Sequence, residues 1–292
     1  MSDQSREQHI ATFARRVLRF RVLGVVAAVV SVVALAYLSL FTVTGQWLDT
    51  LIMYSFQAHM PFQDAARTVL HTLASIPALL LFALILIVTV LLRKRFALLV
   101  RIVALLVVSN GATQMLKYLL VRPDMEVGHS LANSFPSGHV TLAASVGLAL
   151  IAAVPQRWKS VAGGVAWVAI AFVGVTVLSL GWHRLSDVLA GTLVATAVAL
   201  LVVPSEWRPF NDHFRGRSPA VLAWLALVVS AIGVALVAWG SRTEIGQPVS
   251  AMQSTELAVM VQPGVFLTVF STVLILAVSS LSVLGVDHLA GN

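Results

Sequence analysis

His183 and Asp187 stand four residues apart, a spacing that puts both side chains on one face of a helix. A carboxylate behind an imidazole fixes its tautomer and stabilises its cation, so such a histidine can serve as base or nucleophile. A second histidine, His139, follows the turn Pro136-Ser137-Gly138 and opens an apolar run. Free first-turn amides and a serine side chain at a helix start make an anion site, beside which a histidine can act as an acid. The same residues also read as a plain Pro-Gly turn with a serine cap. Lys117, Arg122 and Arg184 bring cations to the neighbourhood. Long basic side chains can equally run along apolar surface and reach lipid headgroups. Two histidines, one oriented by a carboxylate, together with cations suit phosphoryl transfer. One imidazole attacks phosphorus, the other protonates the leaving oxygen, and the cations hold the equatorial oxygens. Zinc is the competing use of His and Asp, but there is no H-E-x-x-H or comparable cluster, and the nearby Lys and Arg would repel a metal.

The elements that must carry these residues are long and apolar. Of 292 residues, 59% are hydrophobic and 11% charged, far beyond what a soluble domain buries. Eight apolar runs stand out, roughly 22–43, 72–92, 97–121, 139–154, 160–182, 187–203, 220–240 and 263–286. Most approach the roughly 20 residues a helix needs to cross a bilayer. Strand-like alternation is absent, so the expected fold is all-α, a polytopic membrane helical bundle of about eight transmembrane helices. The fourth and sixth runs are short, as befits helices that end at a recessed polar site. Thr44–His71 reads as an amphipathic helix lying at the membrane interface, with Asp49, His59 and His71 solvated or interfacial. Residues 1–21 are polar and Arg-rich, and the run after them is too long for a signal core, so it reads as a retained first span. No cysteine is present, which rules out disulfides and thiolate metal sites.

Lys and Arg set the orientation. The N-terminus, the loops around Arg93–Arg101 and Arg157–Lys159, and the segment with Arg208, Arg215 and Arg217 fall on one side. Only Arg67, Lys117, Arg122, Arg184 and Arg242 fall on the other. Both termini are therefore expected in the cytoplasm, with Pro136–His139 facing outward. The formal net charge of +7 is accounted for by these loops and gives no reason to expect nucleic acid. Three polar clusters lie on the outer side: Lys117 with Arg122-Pro123-Asp124, Ser137-Gly138-His139, and Gly181 to Asp187. Charges at the ends of three spans on one side point to function.

These clusters, in this order, resemble the type-2 phosphatidic acid phosphatase superfamily, the membrane lipid phosphate phosphatases, whose signature is K-x6-R-P, then P-S-G-H, then S-R-x5-H-x3-D. The P-S-G-H is intact as Pro136 to His139, and H-x3-D as His183 and Asp187, followed by Val188-Leu189-Ala190-Gly191. The resemblance covers Lys117 to Gly191. It implies a six-helix phosphatase core, His183 as the nucleophile that forms a phosphohistidine, Asp187 as its orienting group and His139 as the acid. Lys117, Ser137 and the Gly138 amide would hold phosphate, and neither metal nor cofactor is implied. Two positions depart from the pattern. Asp124 and Met125 stand where the family has Arg-Pro, and Thr176-Val177 where it has Ser-Arg. An Arg-Pro pair lies two residues early, at Arg122-Pro123. Arg122 is therefore expected to supply the phosphate fork. Arg184, about 100° around a helix from His183, is better placed for headgroups, although it remains a candidate phosphate ligand.

The sequence thus divides into a cytoplasmic segment 1–21, a lipid-phosphatase-like core 22–203, and 204–292 with two further helices. The expected activity is hydrolysis of a lipid phosphomonoester or pyrophosphate at the outer face of the cytoplasmic membrane. Polyprenyl pyrophosphate, phosphatidylglycerol phosphate and phosphatidic acid are candidates. The alternatives are phosphotransfer to an acceptor other than water, a non-catalytic lipid-binding relative, and a transporter. The last would want polar residues at mid-membrane. Asn110, Thr113 and Gln114 within the third span are expected to make interhelical hydrogen bonds. His129 and Asn133 could line a headgroup pocket.

Overall fold

A computed structural model describes residues 3–59, 63–73, 76–127, 133–205 and 254–290, with isolated helical positions between 224 and 235. Among the described residues every regular element is helical. In chain order these are α1 (Asp3–Phe41), α2 (Val43–His59), α3 (Gln63–Leu73), α4 (Ile76–Leu92), α5 (Phe96–Leu119), α6 (Gly138–Ala153), α7 (Lys159–Ser179), α8 (Leu185–Val202) and α9 (Ser254–Ala290). Five stretches are long and apolar enough to cross a membrane: Ala11–Phe41, Phe96–Leu119, Gln156–Ser179, Leu185–Val202 and Val265–Ala290. The protein is an all-α membrane helical bundle. The apolar helix α6, at 16 residues, and α4, at 17, are shorter. The expected span at 220–240 falls largely outside the described residues, as does His129.

Helices α6, α7 and α8 form the centre, with α5 and α1 against them and α9 packed on α7, α8 and α2. The centre is sealed by Leu148, Ile170, Val188 and Ile275, all essentially inaccessible, while Leu23, Val100 and Val107 stay more than half exposed, as lipid-facing side chains do. Buried hydroxyls and amides pair between helices: Thr113 with Thr141 at 3.0 Å, Asn110 with Ser145 at 3.4 Å, and Thr196 with Ser282 at 2.8 Å. Two of the interhelical bonds expected from the third span are therefore present. Gln114 instead points its amide toward Gly138.

The helix ends opposite Gly138 are closed by basic side chains. Arg21 donates to the carbonyls of Leu200, Leu201 and Val203, and Arg101 to that of Val202, which together wrap the end of α8. Arg93 donates to Ala153 and Val154 at the end of α6, and Lys159 to Ala290 at the end of α9. The last carbonyls of a helix have no internal partner, and a cation there also complements the macrodipole.

One expectation is corrected. Residues 44–71 are not a single surface helix. Thr42 breaks the chain after α1, accepting from the Gly45 amide through its hydroxyl and from Gln46 through its carbonyl, and so starts α2. Helix α2 is built into the bundle, with Trp47 and Phe56 wholly inaccessible and Asp49 only 5% exposed. Gln46, Asp49, Ile52 and Phe56 share its buried face. At this helix the apolar residues meet neighbouring helices rather than lipid, and Asp49 meets protein rather than water.

Candidate active site

The polar clusters predicted from the sequence converge at one end of the bundle. Helix α7 closes with a 6→1 bond from the Trp182 amide to the Val177 carbonyl and a 5→2 bond from the Gly181 amide to Leu178. This is the arrangement that needs a left-handed residue, and Gly181 supplies it at φ 68°. A Cβ there would also lie 2.1 Å from the Gln57 amide of α2. The chain then reverses through Trp182, His183 and Arg184 into α8. Helix α6 begins at Gly138, with Ser137 as its N-cap accepting from the Val140 amide at 3.4 Å. The two turns are tied where the Ser137 amide donates to the Asp187 carbonyl at 2.9 Å. Their helices cross at Gly191, where a Cβ would sit 2.7 Å from the Ser137 carbonyl oxygen.

Asp187 is fully buried and its Oδ2 is the hub of the site. It accepts from the Ser134 hydroxyl at 2.6 Å and the Arg184 amide at 2.8 Å, and faces His183 Nδ1 at 3.3 Å. Ser134 in turn accepts from Arg184 Nη1 at 3.2 Å. With Nδ1 turned to the carboxylate, His183 leaves Nε2 for the open side. His139, half-buried on the first turn of α6, presents its ring with centroids 6.1 Å from His183 and 5.6 Å from Trp182. His71 of α3 lies edge-on to Trp182 at 5.3 Å, so it borders the site. Lys117 reaches in from the end of α5: its Nζ lies 3.9 Å from where a Cβ of Gly138 would be.

The two register positions carry no charge into the site. Val177 is inaccessible in the core. Asp124 is exposed, its carboxylate accepting from the Glu126 amide at 2.8 Å in a local turn. Arg122 does turn inward. It is 6% exposed, its Nη2 makes one long bond of 3.5 Å to the Ser39 carbonyl, and its Nη1 is buried without a partner. Burial, and then the neighbouring charge of Arg184, push its pKa down, against the pull of Asp49 and Asp187. Arg184 departs from expectation. Helix α8 starts one residue after it, so it lies at the N-cap rather than on the helix face, and it is 5% exposed, beside Ser134 and Arg122 instead of among headgroups.

Three contributors escaped the sequence reading. Ser134 bridges Arg184 and Asp187. Asp49 accepts from the Ser186 amide at 3.0 Å and from the Ser186 hydroxyl. Gln46 donates to the Pro123 carbonyl at 2.9 Å. The signal for the last two was available, since Gln46 and Asp49 fall on the same face as Ile52 and Phe56. Asn133 does not open toward a headgroup. It donates to the carbonyls of Lys117 and Leu120 and fixes the loop to the end of α5.

A helical membrane bundle with two imidazoles, a buried carboxylate and inward-turned cations at one end defines the class. Residues 98–211 match the model of the PAP2 superfamily, so this part of the chain is similar to a superfamily of the phosphatase type. No curated protein and no solved structure matches the chain.

Proposed function

We propose that the protein is a metal-independent lipid phosphatase working through a phosphohistidine. The observation that carries this reading is the pair of imidazoles, His139 and His183, 6.1 Å apart, with a buried carboxylate behind only one of them. Asp187 holds the Nδ1–H of the neutral imidazole, which leaves the lone pair on Nε2 as the nucleophile, and the carboxylate then stabilises the cation that develops as the N–P bond forms. That lone pair forms the N–P bond as the P–O bond to the lipid breaks, and His139 donates the proton that the leaving oxygen takes. Water then attacks phosphorus, His139 takes back a proton, inorganic phosphate leaves and His183 is regenerated. Charge on the equatorial oxygens is met by Lys117, the Ser137 hydroxyl, the Gly138 amide, Arg122 and Arg184. The unpartnered Nη1 of Arg122 supports its place in this set, because a buried donor with no acceptor is costly until an anion arrives.

The substrate on this reading is a lipid phosphomonoester or pyrophosphate, taken from the outer leaflet of the cytoplasmic membrane with both termini inside. Phosphate release from phosphatidic acid, phosphatidylglycerol phosphate and a polyprenyl pyrophosphate, by purified wild type and His183→Ala, tests it. Release by the wild type and none by the variant is expected. Equal release by both rejects the mechanism. No release by either moves the chain to the non-catalytic, lipid-binding reading. Release that depends on an added alcohol acceptor would instead favour phosphotransfer.

A further inference from the structure

Both arginines of the site stand out of the family's register, so something must place them. Arg122 sits in the loop after α5 and Arg184 in the turn before α8. Within the matched segment Ser134 and Asp187 hold the Arg184 turn and Asn133 ties its loop to the end of α5, but none of these contacts reaches the Arg122 side chain. Each loop is held from outside that segment by the same helix. On α2, Gln46 donates to Pro123, next to Arg122, and also to Leu40, which anchors it to the end of α1. One turn further along the same face, Asp49 takes both the amide and the hydroxyl of Ser186, two residues beyond Arg184. Asp49 thereby occupies a first-turn amide of α8 that has no intrahelical acceptor. Its charge also bears on both guanidinium groups, which would otherwise repel each other in a buried site. A buried carboxylate is costly unless hydrogen-bonded, and α2 exposes none of this face to water. Packing alone would be served by an apolar residue at position 49.

We propose that Gln46 and Asp49 of α2 are positioning residues that hold Arg122 and Arg184 together as the oxyanion fork, in place of the two in-register arginines. The proposal rests on the reading of those arginines as phosphate ligands.

Orthovanadate, a mimic of the transferring phosphoryl group, is the probe, its dissociation constant read calorimetrically on the full chain in detergent. Gln46→Ala and Asp49→Ala should each weaken vanadate binding about tenfold, the scale of one hydrogen bond to a charged group. Ser186→Ala, which removes one link and leaves α2 intact, should weaken it about threefold. The deciding measurement is the double-mutant cycle. Adding Gln46→Ala to Arg122→Ala, or Asp49→Ala to Arg184→Ala, should change affinity less than about twofold, because the arginine to be positioned is gone. A residue that merely keeps the protein folded would weaken each arginine variant as much as the wild type, and that additivity would falsify the proposal. Should the α2 variants not fold, Ser186→Ala with and without Arg184→Ala decides alone. Wild type that binds vanadate but releases no phosphate from lipids would reject the phosphatase reading and leave this one standing. Wild type that binds no vanadate rejects this one.

Discussion

The imidazole of His183 has one nitrogen committed to Asp187, and the consequences can be measured one residue at a time. On the proposed mechanism His183→Ala abolishes turnover and any acid-labile phosphoenzyme, both read by rapid-quench labelling. His139→Ala should slow turnover roughly 10²–10⁴-fold, the usual contribution of a general acid, with the largest loss for the poorest leaving groups. Arg122 turns inward with a free Nη1, so Arg122→Ala should lower kcat/KM roughly ten- to a hundredfold, by a hydrogen bond of about 1.5–3 kcal/mol to a charged group. The sequence alone suggests that Asp124→Arg would restore the charge in register and recover part of that loss. The geometry reverses this expectation. The Asp124 side chain is exposed and bonded back to Glu126, so the double variant should be no better than Arg122→Ala, and a clear recovery of kcat/KM would contradict the placement of this loop. Arg184 was misread for a related reason. On a helix that included His183 the Arg184 side chain would point about 100° away from it, but α8 begins only at Leu185, so both residues stand in the turn before it. That turn buries Arg184 beside Ser134 rather than leaving it on the lipid side.

Helices α5 to α8 were legible because each is a long apolar run that ends at a Gly, Pro or charge, and lipid leaves the backbone no other way to satisfy itself. Helix α2 was not. Its face mixes Gln46, Asp49 and Ser55 with Trp47, Ile52 and Phe56, and sequence does not distinguish a polar face wetted by solvent from one docked on polar loops. Burial, together with the charge of Asp187 beside it, pushes the Asp49 carboxyl up to about 6, despite the lowering effect of the Ser186 hydrogen bonds. A folded pKa above the unfolded value near 3.8 means that the folded state holds the proton more tightly. That contribution to stability is complete below the unfolded pKa and is lost as pH rises through the folded one. The wild type should therefore lose melting temperature between about pH 4 and pH 6.5 relative to Asp49→Asn, which has no proton to release. Parallel pH profiles would show that Asp49 does not titrate in this window. The α6–α8 crossing gives a second element-scale test. Gly191→Val would drive a branched side chain into the Ser137 carbonyl, at a cost of about 1–3 kcal/mol for overpacking. It should lower the melting temperature and separate the turn carrying His139 from that carrying His183, so that turnover falls even at temperatures where the variant remains folded.

Across the whole molecule, polar chemistry and helix capping are sorted to opposite ends. The site gathers Lys117, Arg122 and Arg184 at one end. Arg21, Arg93, Arg101 and Lys159 bind the last carbonyls of α8, α6 and α9 at the other. A capping arginine keeps its charge, so these residues still count toward retention on the cytoplasmic side, while their fixed partners give them a second role that a loop charge lacks. The orientation proposed from charge would put the capped end inside and the site outside, and labelling tests it. The chain has no cysteine, so a single introduced one is a unique label. Glu126 is exposed in the loop that leads from α5 to the site, and Trp158 is 51% exposed in the turn between α6 and α7, at the capped end. In intact cells a membrane-impermeant maleimide should label Glu126→Cys at once and Trp158→Cys only after lysis. The opposite pattern would turn the site toward the cytoplasm, and with it the source of the lipid phosphate. Charge would then have been outweighed by the insertion of α1, whose apolar span of 31 residues precedes the site residues in the chain.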